Sequence, residues 1–226
     1  MKLTDLAFAC ALLPVIALAQ RPVTIAVPDK SAPVHGDLYG SGSRGLVLAH
    51  GGSLNKESWK DQATVFANAG FTVLAINFRG DTVHPDGTPS AEGSDAENAA
   101  DVLAAVRYLH ALGMQSVSAI GGSLGGDAVG EADAQSSPDE FDRVVFLASF
   151  GGDHPEKLKG RKLYIVARGD VSSDGLRITG IRKQYARAPQ PKKLVVVEGT
   201  AHAQYLFATS EGPEVMNEIL GFVSAR

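Results

Sequence analysis

The sequence holds little of what marks several large protein classes. It contains one cysteine, Cys10, so neither an intrachain disulfide nor a cysteine-rich metal site can form. It also lacks basic blocks: 21 Lys and Arg stand against 25 Asp and Glu, a net charge of -4, with both signs scattered along the chain. That argues against nucleic acid as the main partner, because neutralising phosphates takes a concentrated basic surface. No internal repeat or low-complexity tract interrupts it. The longest apolar stretch, Leu6 to Leu18, is broken by Pro14 and falls short of the roughly 20 apolar residues that a bilayer span needs.

That stretch has another reading. It follows Met1-Lys2 and closes on Ala17-Leu18-Ala19, giving a basic start, an apolar centre and small residues at the cut, which is the pattern of a secretory signal peptide over residues 1–19. Asp5 is its one discordant residue. Cleavage after Ala19 implies a secreted or periplasmic protein with no membrane association in its mature form. Because Cys10 leaves with the signal, the mature chain holds no thiol, and its stability comes from the core. With 44% hydrophobic residues, the remaining 20–226 suffice for one domain around one core.

Strand and helix patterns alternate along that domain. Val23 to Val27 and Val34 to Tyr39 read as short strands separated by Pro28 and Pro33. Apolar runs follow at Gly45–Ala49, Phe71–Phe78, Ser116–Ile120, Val144–Ser149, Leu163–Ala167 and Leu194–Val197. They lack strict apolar and polar alternation, as expected of strands buried on both faces of a parallel sheet. Helices are expected at Trp59–Ala69, Asp101–Leu112, Leu124–Ala134, Leu176–Ala188 and Glu214–Val223. The order predicts an α/β fold, a mostly parallel central sheet covered by helices on both faces, with the first two strands as an antiparallel edge. Catalytic groups in such a sheet belong at the carboxyl ends of its strands.

Four residues or loops stand at those ends. Gly121-Gly122-Ser123-Leu124-Gly125 links a strand to a helix, the place where a tight turn presents a serine nucleophile and where flanking strand and helix pack too closely for side chains. A phosphate cradle is the alternative for such a turn, but the lysine it requires is missing. His50-Gly51-Gly52 follows the strand at 45–49, and its glycines free backbone N–H groups for a developing oxyanion, with His50 fixing the loop. Asp170 lies three residues beyond Ala167, and His202 lies beyond the last strand. His35, His84, His110 and His154 read as solvated surface side chains. For the acid, Asp153 and Asp174 compete with Asp170; Asp174, just before a helix, also suits an N-cap.

In chain order these groups run Ser, Asp, His. With His50-Gly51-Gly52, Phe78-Arg79-Gly80 and the turn at Ser123, the sequence resembles the α/β-hydrolase superfamily, and especially its small lidless members similar to dienelactone hydrolases and carboxylesterases. The resemblance implies a Ser123–His202–Asp170 triad and an oxyanion hole made by the N–H groups of Gly52 and Leu124. True dienelactone hydrolases carry a cysteine nucleophile; Ser123 in its place turns the expectation toward small ester substrates. It implies no cofactor and no metal. A peptidase or amidase with the same triad, and a non-catalytic binding protein on the same fold, are the alternatives. The short connection between Ser149 and Lys162, where relatives often insert a lid, predicts an open site without a cap domain.

Overall fold

Every strand that lies inside the sheet alternates its side chains between two apolar layers, which is why its sequence reads as one continuous apolar run. In the strand Arg44–Ala49, Leu46 and Leu48 face one layer while Val47 and Ala49 face the other, all four fully buried. Removing each large apolar side chain from water contributes about 1.5–3 kcal/mol.

The computed structural model describes residues 20–28, 32–84, 86–91 and 93–225; the proposed signal segment lies outside them. In chain order the elements are β1 Arg21–Ile25, β2 Val34–Tyr39, β3 Arg44–Ala49, α1 Lys60–Asn68, β4 Phe71–Ile76, β5 Asp81–Val83, β6 Pro89–Ala91, α2 Asp95–Ala111, β7 Val117–Gly122, α3 Leu124–Gln135, β8 Arg143–Leu147, β9 Arg161–Ala167, β10 Val171–Ser172, β11 Gly175–Leu176, α4 Arg177–Arg187, β12 Lys192–Val197 and α5 Gly212–Ser224. The main sheet has eight strands in the order β1-β2-β4-β3-β7-β8-β9-β12. β1 and β2 run antiparallel at the edge, and every pair from β4 to β12 is parallel.

Helices α2, α3 and α4 cover one face through Val102, Val106, Val129 and Ile181, while α1 and α5 cover the other through Phe66, Val215 and Ile219. This is the expected α/β-hydrolase fold. Helix α2 starts at Asp95, not at Asp101, because Ser94 and Glu97 cap it reciprocally: the Glu97 N–H donates to Ser94 Oγ (3.3 Å) and the Ser94 N–H to Glu97 Oε2 (2.9 Å). The first strand sits at residues 21–25, two positions before its predicted place, in register with β2.

Two small hairpins, β5–β6 and β10–β11, have no counterpart in the sequence reading, since strands of two or three residues carry no measurable periodicity. Both lie in connections leaving the carboxyl edge of the sheet, after β4 and β9. The β8–β9 connection holds only a single 3-10 turn, Pro155–Lys157, and forms no cap.

Candidate active site

Strand β7 passes into α3 at Ser123, whose backbone sits at φ 50 and ψ -119, a left-handed conformation that costs about 1–3 kcal/mol in a non-glycine residue. The surroundings hold it there. The Ser123 N–H donates to the Leu147 carbonyl (2.9 Å), and the Ser123 carbonyl accepts from Gly126 and Asp127 (2.8 and 3.1 Å). Only glycine fits at 121 and 125: a Cβ on Gly121 would overlap the Gly125 carbonyl, and one on Gly125 the carbonyls of Ala49 and His50. Close packing of β7, β3 and α3 thus lifts the hydroxyl above the edge of the sheet.

One turn into α3, Asp127 anchors the loop that follows β8. Its Oδ1 accepts from Ser149 Oγ (2.8 Å) and from the N–H groups of Phe150, Gly151 and Gly152 (3.1, 3.0 and 3.3 Å). Burial pushes this carboxyl above the usual carboxylate range, against the pull of those donors. Nothing in the local sequence announces this role, because its partners lie more than twenty residues away.

Asp170 and His202 come together through their loops. Arg168 N–H donates to the Val197 carbonyl and Gly169 N–H to the Gly199 carbonyl, both at 2.8 Å, so the chain leaving β9 is zipped to the chain leaving β12. Asp170, 2% exposed, then places Oδ2 2.7 Å from His202 Nδ1. Arg177 lies near the other carboxylate oxygen, with Nε 3.4 Å from Asp170 Oδ1. The rival acids are elsewhere. Asp153 and Asp174 are exposed and do not contact His202. Asp174 does not cap α4 either, since the β10–β11 turn intervenes and Leu176 takes the N-cap position.

Ser123 and His202 line one cavity of about 410 Å³ with Gly51, Gly52, Leu124 and Arg177. Among the described residues no hydrogen bond joins Ser123 to His202; such contacts often tighten only when substrate is bound. The Leu124 N–H, at the first position of α3, has no acceptor within its helix and carries the positive end of the helix dipole. The Gly52 N–H likewise has no acceptor among the described residues, while the Gly52 carbonyl accepts from Ala91 in β6 (2.9 Å).

His50 is fully buried, with Nδ1 2.9 Å from the Gly51 carbonyl and Nε2 3.0 Å from Asp81 Oδ2. Both ring nitrogens are therefore committed to structure, and Asp81 is a supporting residue that the sequence reading missed. Of the four histidines read as solvated, His35, His84 and His154 are exposed. His110 is not: it is half-buried, with its two nitrogens 2.8 and 2.9 Å from the carbonyls of Met114 and Glu140, because the chain folds back over the end of α2. Among the described residues no group of three His, Cys, Asp or Glu is placed to hold a metal.

The family model described as alpha/beta hydrolase fold matches residues 46–203, from β3 to just beyond His202. No curated protein matches the chain in sequence. Solved structures resemble it closely in shape. A predicted CIB-like hydrolase from Thermoplasma acidophilum superimposes with TM-score 0.70 at 21% identity, over 91% of this chain and 98% of that one. An esterase from Pyrococcus furiosus gives TM-score 0.74 at 16% identity, over 91% and 92% of the two chains. A dienelactone hydrolase from Anabaena variabilis gives 0.69 at 19% identity, over 92% and 96%.

Proposed function

Because the chain belongs to the α/β-hydrolase fold family, we propose that it is a serine hydrolase that cleaves small carboxylic esters through an acyl-enzyme. One observation carries this reading: a His202–Asp170 pair at 2.7 Å opens into the same cavity as a serine held in a strained turn. His202 takes the Ser123 proton as Oγ attacks the ester carbonyl, Asp170 holds the imidazole by Nδ1, and the N–H groups of Gly52 and Leu124 receive the oxyanion. Collapse of the tetrahedral intermediate breaks the ester C–O bond, and His202 returns the proton to the departing alcohol. Water then repeats the cycle on the acyl-serine and releases the acid. The esterases among similar structures support ester chemistry.

The test is covalent. A fluorophosphonate probe should label Ser123 in the folded protein, with p-nitrophenyl acetate hydrolysed at a measurable rate. Ser123→Ala should abolish labelling and lower kcat by about 10⁵–10⁶-fold while the fold persists. Labelling elsewhere, or retained turnover in the folded variant, overturns the assignment. An anilide and a peptide assayed alongside decide between esterase and amidase. We also propose export with cleavage after Ala19, on the N-terminal sequence pattern alone; N-terminal sequencing of the mature protein tests it.

A further inference from the structure

The cavity at Ser123 adjoins a second one that the mechanism above does not use. This side groove, about 370 Å³, lies between the β10–β11 hairpin and the first turns of α4. Arg177 lines both cavities. Its side chain is 24% exposed, and its buried Nε has no hydrogen-bond partner, the 3.4 Å approach to Asp170 Oδ1 being its only ion pair among the described residues. That contact leaves Nε poorly satisfied, since a charge-assisted N–H···O bond to carboxylate closes to about 2.7–2.9 Å. Asp170 cannot compensate further, because its other oxygen is committed to His202.

The chemistry of the groove is consistent along its length. Lys183 adds a second cation, and Ser173 and Thr179 add hydroxyl donors. Phe150 and Leu176 add apolar lining. Asp174 is the groove's only acid, and it is exposed in the hairpin turn. A partly exposed guanidinium whose buried Nε lacks an acceptor, in a groove that also holds a second cation and apolar lining and that adjoins the nucleophile's cavity, suits a negative charge at a distance from the reacting bond.

We propose that the side groove is a substrate subsite, in which Arg177 and Lys183 bind an anionic group, a carboxylate, at the far end of an ester whose apolar spacer runs from the Ser123 cavity past Phe150 and Leu176. This inference rests on the serine hydrolase reading, and it makes Arg177 a specificity determinant of that reaction.

Matched esters test it. On the acyl side, 4-nitrophenyl adipate with its far carboxyl free is compared with the same compound methylated there. On the alcohol side, the acetate ester of 3-(4-hydroxyphenyl)propionate is compared with that of its amide. In the wild-type protein one of the two pairs should favour the anionic member by about 10–100-fold in kcat/KM, chiefly through KM. Arg177→Gln and Lys183→Gln should each bring that ratio toward one, and Arg177→Lys should keep part of it. The ratio is the informative quantity, because any loss transmitted through Asp170 lowers both members of a pair alike and cancels. Wild-type ratios at or below one in both pairs overturn the proposal, as do ratios unchanged by both Gln substitutions. If the wild type hydrolyses no ester at all, the hydrolase reading fails, and calorimetry with monomethyl adipate judges the subsite separately. Binding lost in both Gln variants supports it, and no binding to the wild type overturns it.

Discussion

At the amino ends of β3, β8 and β9 stand Arg44, Arg143 and Arg161; beyond the carboxyl ends of the same strands lie the His50 loop, the loop held by Asp127, and Asp170. Below, the arginines fasten. Arg143, 3% exposed, donates to the carbonyls of Phe222 and Ala225 (3.2 and 2.7 Å), and Arg44 donates to that of Ser224 (3.2 Å), so cations satisfy the open end of α5. Above, groups are withheld. Among the described residues the N–H groups of Gly52 and Leu124 have no acceptor, and Ser123, Ala148 and Ala203 are three of the four non-glycine residues with positive φ, while Val83, Val171, Leu176 and Tyr205 expose apolar surface. One sheet thus joins an edge where arginines tie down the last turn of α5 to an edge where backbone donors stand without acceptors.

Substitutions at the two edges should separate activity from stability. After Ser123→Ala, the largest effect belongs to Asp170→Asn, which should lower kcat by about 10⁴-fold at neutral pH through loss of the useful His202 tautomer, with little change in circular dichroism or Tm. A nearly full rate would move the acid elsewhere. Asp81→Ala removes the carboxylate that braces His50, and the loosened Gly51-Gly52 loop should cost about 10–100-fold in kcat with KM nearly constant; a change confined to KM would show that Asp81 does not act on the rate through this loop. At the lower edge the sign of the experiment reverses. Arg143→Met strands the carbonyls of Phe222 and Ala225 and should cost about 1–3 kcal/mol in urea unfolding while kcat/KM stays at the wild-type value.

The smallest effect concerns Glu140, also at the lower edge. The Arg107 guanidinium, bonded to it at 2.7 Å, holds its carboxyl below the usual range. A depressed folded-state pKa adds stability above the unfolded value of about 4.3, and that stability is lost as pH falls through the folded one. Arg107 is half exposed, so Glu140→Gln should cost less than about 1 kcal/mol at pH 7, and less still as pH falls through the lowered pKa of Glu140. A larger cost at pH 3 than at pH 7 would contradict the pairing.

The inner strands were legible because burial on both faces leaves an unbroken apolar signature, and the turn at Ser123 was legible because its glycines are sterically required. The start of α2 is written as the capping pattern Ser94-x-x-Glu97, but the apolar periodicity begins only later in the helix. The hairpins and the roles of Asp81 and Asp127 were not legible. Asp81 meets a histidine 31 residues away, and Asp127 a serine 22 residues away, so each role exists only once the loops converge. Asp170 could be ranked above Asp153 and Asp174 by its distance from a strand end, but only the zipped loops at Gly169 and Gly199 bring it to the imidazole. His110 failed for the converse reason, because its ligands are backbone carbonyls, which leave no trace in a sequence.

The knot that Asp127 ties also governs how this scaffold could be remodelled. Residues 149–152 are pinned to α3 by four bonds to a single oxygen, so chain inserted among them would pull against the helix that carries Ser123. Immediately downstream, Asp153, His154 and Glu156 are exposed. A foreign segment spliced between the exposed Asp153 and His154, ahead of the buried Pro155, leaves the four bonds to Asp127 intact, so the turn beneath keeps its shape. The boundary between tolerated and forbidden grafts falls at Gly152, and it is drawn by one carboxylate in a different element.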